Sequence, residues 1–143
     1  MIGKNNVLNI RTSSSFSWLG QDGSTRGFCN FTGIEFCRRA GLYLLMRSYR
    51  RAGVTKLGDI IKRWAPAFEN NTEAYTRFVC SRTGLDSGFV LRFNSDFAGV
   101  LAAMEIVEIG VPQKDRDAYY TTAKMSYEYL IEHFNLKCDE SKS

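Results

Sequence analysis

The sequence predicts a mainly helical α+β domain with a small β hairpin near its N-terminus. Two patterns carry this. Before residue 32, apolar and polar residues alternate in short runs broken by turn residues; after it, apolar residues recur at helical spacing. A third observation is punctuation: the helical runs open on Ser, Thr or Asn and close on Gly or Pro. The 143 residues suit a single domain. It is expected to comprise a β/loop element over 1–31, a helical core over 32–110 and a C-terminal amphipathic helix over 111–137.

Taken in order, Val7 to Arg11 alternates like a strand, Gln21-Asp22-Gly23-Ser24 reads as a turn, and Phe28-Cys29-Asn30-Phe31 alternates again. Thr32 followed by Glu35 has the form of a capping box. The helix it opens carries one stripe of Ile34, Cys37, Gly41, Leu45, Ser48 and Ala52, and stops at Gly53. Thr55 reads as the N-cap of a short helix through Trp64, ended by Pro66. The loop Glu69-Asn70-Asn71-Thr72 caps a third helix that Gly84 ends. Ser95 caps a fourth, Asp96 to Ile109, closed by Gly110 and Pro112. The last, Lys114 to Phe134, carries Tyr119, Tyr120, Ala123, Tyr127, Leu130 and Phe134 on one side.

Composition is ordinary, 44% hydrophobic and 24% charged, which excludes a disordered or collagenous chain. No apolar run approaches the roughly 18 residues of a membrane span. The polar first ten residues lack an apolar signal-peptide core, so synthesis in the cytoplasm without a signal peptide is expected. The four cysteines, Cys29, Cys37, Cys80 and Cys138, form no closely spaced pair, and His133 is the only histidine. Neither a metal nor a cofactor is expected, and the cysteines read as reduced thiols. Charge is uneven. From Arg38 to Arg63 eight basic residues face one acid, Asp59, a window charge of +7, while the rest of the chain carries −3. Such a window suits a polyanionic partner or a solvated helix face in which one arginine reaches Glu35 or Glu105. Nucleic acid is the less expected partner, since no nucleic-acid-binding motif accompanies the charge.

Chemistry points to the fourth helix. Phe97, Leu101, Met104 and Glu108 fall within an arc of about 60°, so a carboxylate continues an apolar stripe one turn from the helix end. Burial there, and the negative end of the helix dipole, both disfavour the charged form. A carboxyl group that keeps its proton suits general acid catalysis of glycoside cleavage. The competing reading is a Glu at the stripe's edge, solvated or paired with an arginine. Glu105, about 60° away, is expected in solvent. Glu69 and Asn70 are candidates for the rim of a cleft, or for the caps of the third helix. Asn6, Asn9 and Arg11 (with Asn5) could contact a sugar or peptide, or fix turns. Trp18 and Trp64 could stack on sugar rings or fill the core.

The ordered pattern Asn5-Asn6-Val7-Leu8-Asn9-Ile10-Arg11, Trp18-x-Gly20, Phe28-x-x-Phe31, then Arg63-Trp64-Ala65-Pro66 and Glu69-Asn70-x-Thr72-x-x-Tyr75 resembles small phage and prophage proteins labelled virion structural proteins. The resemblance covers about residues 4–110. A second similarity is to bacterial glucosaminidases of lysozyme-like fold, which share the double-Asn segment, a Trp, an aromatic strand, a helix and a loop ending in Tyr, in that order. In those enzymes the catalytic Glu lies on a helix before the double Asn. Here only four residues precede Asn5, and Val107-Glu108-Ile109-Gly110 ends a helix at the other end of the chain. The resemblance therefore implies a circularly permuted lysozyme-like domain. Val107 and Ile109 stand where the phage pattern has His and Asn, and Val7 where it has Pro.

On this resemblance the expected function is phage- or prophage-derived hydrolysis of peptidoglycan glycan strands, as a muramidase or lytic transglycosylase. Glu108 would be the acid, and Asn6, Asn9, Arg11, Trp18, Glu69, Asn70 and Tyr75 the substrate-binding residues. The partners implied are peptidoglycan and other virion proteins, and the place of action is the cell wall or the virion. The alternative is a non-catalytic virion structural or wall-binding protein on the same scaffold. The two separate on whether Glu108 meets an open cleft or is sealed in the core.

Overall fold

A computed structural model describes residues 1–67, 70–93 and 95–133. Its elements are an antiparallel hairpin of β1 (Gln21–Thr25) and β2 (Phe28–Phe31), then α1 (Ile34–Tyr43), α2 (Leu57–Trp64), α3 (Thr72–Thr83), α4 (Ser95–Ile109) and α5 (Arg116–His133). A π-helical segment, Leu44–Tyr49, prolongs α1, and a 3₁₀ turn, Gln113–Asp115, leads into α5. The chain is thus mainly helical α+β with one small hairpin. Among the described residues no helix is long and apolar enough to cross a membrane.

The β element differs from expectation in detail. Gln21 to Ser24 is strand rather than turn. The reversal lies at Arg26 and Gly27, both with positive φ, and an irregularity in the pairing between Gln21 and Ser24 lets Gly23 turn at φ 71 inside the strand. Val7 to Arg11 is not a strand. It lies beside β2, joined by Cys29 N–H to the Ile10 carbonyl, Phe31 N–H to the Lys4 carbonyl and a single bridge at Arg11. Its alternation is replaced by consecutive buried residues, Asn6, Val7 and Leu8, because the segment coils through the core instead of running along a sheet.

The first helix starts on Gly33, whose extended backbone caps without any side-chain bond, so the capping box at Thr32 and Glu35 is not formed. Its stripe also changes phase. Ile34, Ser48 and Ala52 are exposed, while Leu45, Met46 and Tyr49 are buried. The π-helical segment is the cause: it holds more residues per turn than an α-helix, so side chains after Leu44 arrive at a rotated angle. Gly53, at φ 77, ends the helix as expected. The next helix begins at Leu57, with Lys56 rather than Thr55 at the cap. α3 is capped by Asn71, whose side chain accepts from Ala74 N–H at 3.1 Å, and Gly84 closes it at φ 75.

α4 is the centre of the molecule. Phe97, Leu101 and Met104 are buried as expected, but so is every residue from Phe97 to Ile106, because α1, α3 and α5 all pack on this helix. The apolar stripe is therefore a wholly enclosed helix. Glu105, expected in solvent, is fully buried. It is held by Arg38 Nε and Nη2 at 2.9 and 3.0 Å and by the hydroxyls of Tyr119 and Tyr127 at 2.7 and 2.6 Å. The expected arginine–acid pair thus forms between Arg38 and Glu105.

Candidate functional site

Glu108 lies one turn beyond Glu105, where α4 emerges from the core, and is half-buried. Two side chains from distant parts of the chain hold it. Asn9 Nδ2 donates to Glu108 Oε1 at 2.9 Å and to the Glu108 carbonyl at 3.1 Å. The Tyr75 hydroxyl donates to Oε2 at 2.8 Å.

Each partner has a local cause. Asn9 has a left-handed backbone, φ 52, which Asn tolerates better than most residues. The turn that puts it there is built by Asn6. The Asn6 amide donates to the carbonyls of Ile10 and Cys29, both at 2.9 Å, and its Oδ1 accepts from Ile10 N–H at 2.8 Å. The Cys37 thiol donates to the same oxygen at 3.4 Å, and burial pushes that thiol up to about 12. Asn6 is therefore fully buried and engaged with its own chain, so its role is to shape the turn that carries Asn9. Tyr75 comes from the first turn of α3, which Asn71 caps. Burial first, and then the Glu108 carboxylate beside it, push the Tyr75 hydroxyl well above its ordinary range.

Two surface grooves flank this cluster. One, of about 280 Å³, is lined by Asn9, Arg11, Phe16, Trp18, Tyr49 and Trp64 among others. The second, of about 380 Å³, is lined by Asn70, Asn71, Tyr75 and Phe78, with Val107 and Gly110 from the end of α4. One carboxylate oxygen of Glu108 touches a residue of the first groove and the other a residue of the second. Glu108 itself is in the lining of neither groove, and among the described residues no other carboxylate is.

The aromatic walls are ordered. Trp18 meets Phe16 edge to face at 4.9 Å, and Trp64 lies 6.2 Å from Tyr49. The Arg11 guanidinium rests 4.6 Å above Phe28, with its head at the groove. Asn70 Nδ2 donates to the Pro66 carbonyl at 3.4 Å, and the residue is exposed. Glu69, the other candidate of this loop, lies outside the described residues. Of the residues singled out in the sequence, Glu108, Asn9 and Tyr75 thus meet directly, Arg11, Trp18 and Asn70 line the flanking grooves, and Asn6 stands behind them. Among the described residues no group of three His, Cys, Asp or Glu side chains could hold a metal ion.

The chain is 33% identical to Protein P5 of Pseudoalteromonas phage PM2 over 110 residues, which cover 74% of this chain and 68% of that protein. It belongs to the Protein P5 family. No known family model matches it. The expected kinship with phage proteins rests on the P5 match, which carries nothing about lysozyme-like enzymes.

Two features of this P5-family site escape sequence reasoning. Tyr49 lines the first groove because of a π-helical segment that has no composition signature. Glu105 is buried because a third helix face, taken for solvent-facing, is covered by α5.

Proposed function

We propose that this P5-family protein cleaves the glycan strands of peptidoglycan, with Glu108 as the acid and a lysozyme-like division of labour around it. The single observation that carries the reading is the half-buried Glu108 carboxylate held between Asn9, which lines one groove, and Tyr75, which lines the other. A polymer that ran from one groove to the other would pass beside the residues that hold that carboxyl group. Aromatic faces at Trp18 and Trp64 suit the apolar faces of pyranose rings, and Arg11 suits the anionic groups that peptidoglycan carries.

In the proposed reaction Glu108 gives its proton to the glycosidic oxygen as the bond from the anomeric carbon breaks. The carboxylate left behind then takes a proton from the incoming hydroxyl group. If that hydroxyl belongs to water the net reaction is hydrolysis. If it belongs to the same sugar, an internal ether forms and no water is consumed. Two-carboxylate glycosidases use their second acid for the nucleophilic half. Among the described residues no second carboxylate lines these grooves beside Glu108, which favours the internal hydroxyl, as in lytic transglycosylases.

A virion structural or wall-binding protein without catalysis is the second reading. It is favoured by Val107 and Ile109, apolar on both sides of Glu108 where the resembled phage pattern has polar residues. Turbidity of purified sacculi, with mass analysis of the products, tests the pair. Lysis by the wild-type protein that disappears in Glu108→Gln, at unchanged thermal midpoint, is the result expected of the enzyme. Lysis unchanged in Glu108→Gln would overturn the assignment. Retention on sacculi without lysis would establish the second reading.

A further inference from the structure

The start of α3 divides two depressions. Ala74, Tyr75 and Phe78 line the second groove, where Tyr75 bonds Glu108. Glu73, Thr76 and Arg77, on another side of the same helix, line a separate cavity of about 940 Å³ against α2. None of its described lining residues belongs to either groove, and its volume suits a ligand of short-peptide size.

The cavity carries charges of both signs. Arg77 and Glu73 satisfy each other at 3.1 Å, and Asp86 Oδ2 accepts from Gly88 N–H at 3.3 Å. Lys56, Asp59 and Lys62 line it from α2 and its cap, all three exposed. Spaced three residues apart, they fall within an arc of about 120°. Among the described residues their side chains make no hydrogen bond or ion pair. Two ammonium groups and one carboxylate are thus left to a ligand, beside an apolar part formed by Pro66, Ala67 and Leu85. The complement of that set is a molecule with at least two carboxylates and one ammonium.

The peptide stems that branch from peptidoglycan glycan strands have this chemistry where they contain a diamino acid with a free amine. Their reach also fits. Ala67 lines the cavity and Asn70 the second groove. Three residues of chain separate their Cα atoms by at most about 11 Å, the span of an extended tripeptide. We infer that the cavity between α2 and α3 binds the peptide stem, Lys56 and Lys62 taking its carboxylates and Asp59 its side-chain ammonium. The inference rests on the proposed peptidoglycan substrate and narrows it to strands that still carry their peptides.

Calorimetric titration of the full chain with the tripeptide acetyl-Ala-γ-Glu-diaminopimelate tests it. The wild-type protein should bind, and rising salt should weaken the binding. Combining Lys56→Gln with Lys62→Gln should lower affinity by about tenfold, as two exposed charge pairs of up to about fivefold each allow. The thermal midpoint should stay level, since neither side chain loses a partner. Lys114→Gln, exposed and outside the cavity, should leave binding as it was. A second probe has the free amine acetylated: the wild type should prefer the amine, and Asp59→Asn should erase that preference. Equal affinity in the double lysine variant, an equal loss in Lys114→Gln, or a preference that survives Asp59→Asn would each overturn the assignment. No binding of the tripeptide by a wild-type protein that lyses sacculi would overturn the cavity's role and leave glycan cleavage standing. Binding with the expected losses, but without lysis, would support the cavity and remove the cleavage reading.

Discussion

Glu105 accepts four hydrogen bonds from Arg38, Tyr119 and Tyr127 and has no contact with water, whereas Glu108, three residues on, keeps part of its surface open. The first carboxylate is a structural joint between α1, α4 and α5. Removing one partner of a buried ion pair leaves the other charge uncompensated, which typically costs about 3–5 kcal/mol. Glu105→Ala should therefore lower the unfolding free energy by about that much in urea titrations, and Glu108→Gln by less than about 1 kcal/mol. Equal costs would mean that the two acids share one role. Asn9 permits a second contrast. Glycine keeps its left-handed backbone without strain but removes the contact to Glu108. Asn9→Gly should reduce sacculus lysis at least tenfold while shifting the thermal midpoint little. A fall in stability as large as that of Glu105→Ala would make Asn9 a structural residue. Periodicity could place Glu108 at the edge of a buried stripe. It could not reveal that Asn9 and Tyr75, 99 and 33 residues away in sequence, would bond it, because such pairings follow from tertiary packing alone.

At the scale of elements, helix ends were the most legible feature. Gly53, Gly84 and Gly110 all sit at φ 68–77, the left-handed conformation that ends a helix and that glycine adopts at least cost. Starts were less legible, since Gly33 and Lys56 cap by backbone alone where Thr32 and Thr55 look better suited. The π-helical segment was invisible, because nothing in Leu44–Tyr49 distinguishes it from an α-helical run. How α1 meets the N-terminal turn is testable through Gly41. A Cβ there would come within 2.5 Å of Leu8 Cδ1, and Leu8 is fully buried next to Asn9. Alanine improves helix propensity by up to about 1 kcal/mol, but overpacking costs about 1–3 kcal/mol. Gly41→Ala should be net destabilising by roughly 1 kcal/mol, and it should slow lysis more than its stability loss explains, because Leu8 can yield only by moving the turn that carries Asn9. Unchanged lysis in this variant would mean that the turn is positioned by Asn6 without help from α1.

For the whole molecule, α4 explains both what was legible and what was not. An enclosed helix shows apolar residues on every side, so its sequence does not say which neighbour covers which face, and a position about 60° off one stripe, such as Glu105, reads as solvent-facing although α5 covers it. Enclosure also gathers ionisable groups that the fold holds in their neutral forms. Burial raises the hydroxyls of Tyr75, Tyr119, Tyr120 and Tyr127, lifts Tyr49 to about 12 from an ordinary value of 10.0, and lifts the Cys37 thiol to about 12 from 9.0. The sign of the linkage is the same for all of them. Each binds its proton more tightly folded than unfolded, so the stability it contributes is fully present below the unfolded value and is lost as pH rises toward the folded one. The unfolding free energy should therefore be nearly level from pH 7 to about 9, decline as the unfolded thiol begins to release its proton, and fall steeply between about 10 and 12, where the tyrosines of the unfolded chain join it. Urea midpoints across that range measure the fall, and ultraviolet absorbance of tyrosinate, recorded on folded and urea-unfolded protein, measures its cause. The folded protein should show most of its seven tyrosines ionising late, in step with loss of helix by circular dichroism. Tyrosines that ionise near 10 with the helices intact would mean that the α4 enclosure is open to water and that the Glu105 joint does not close it.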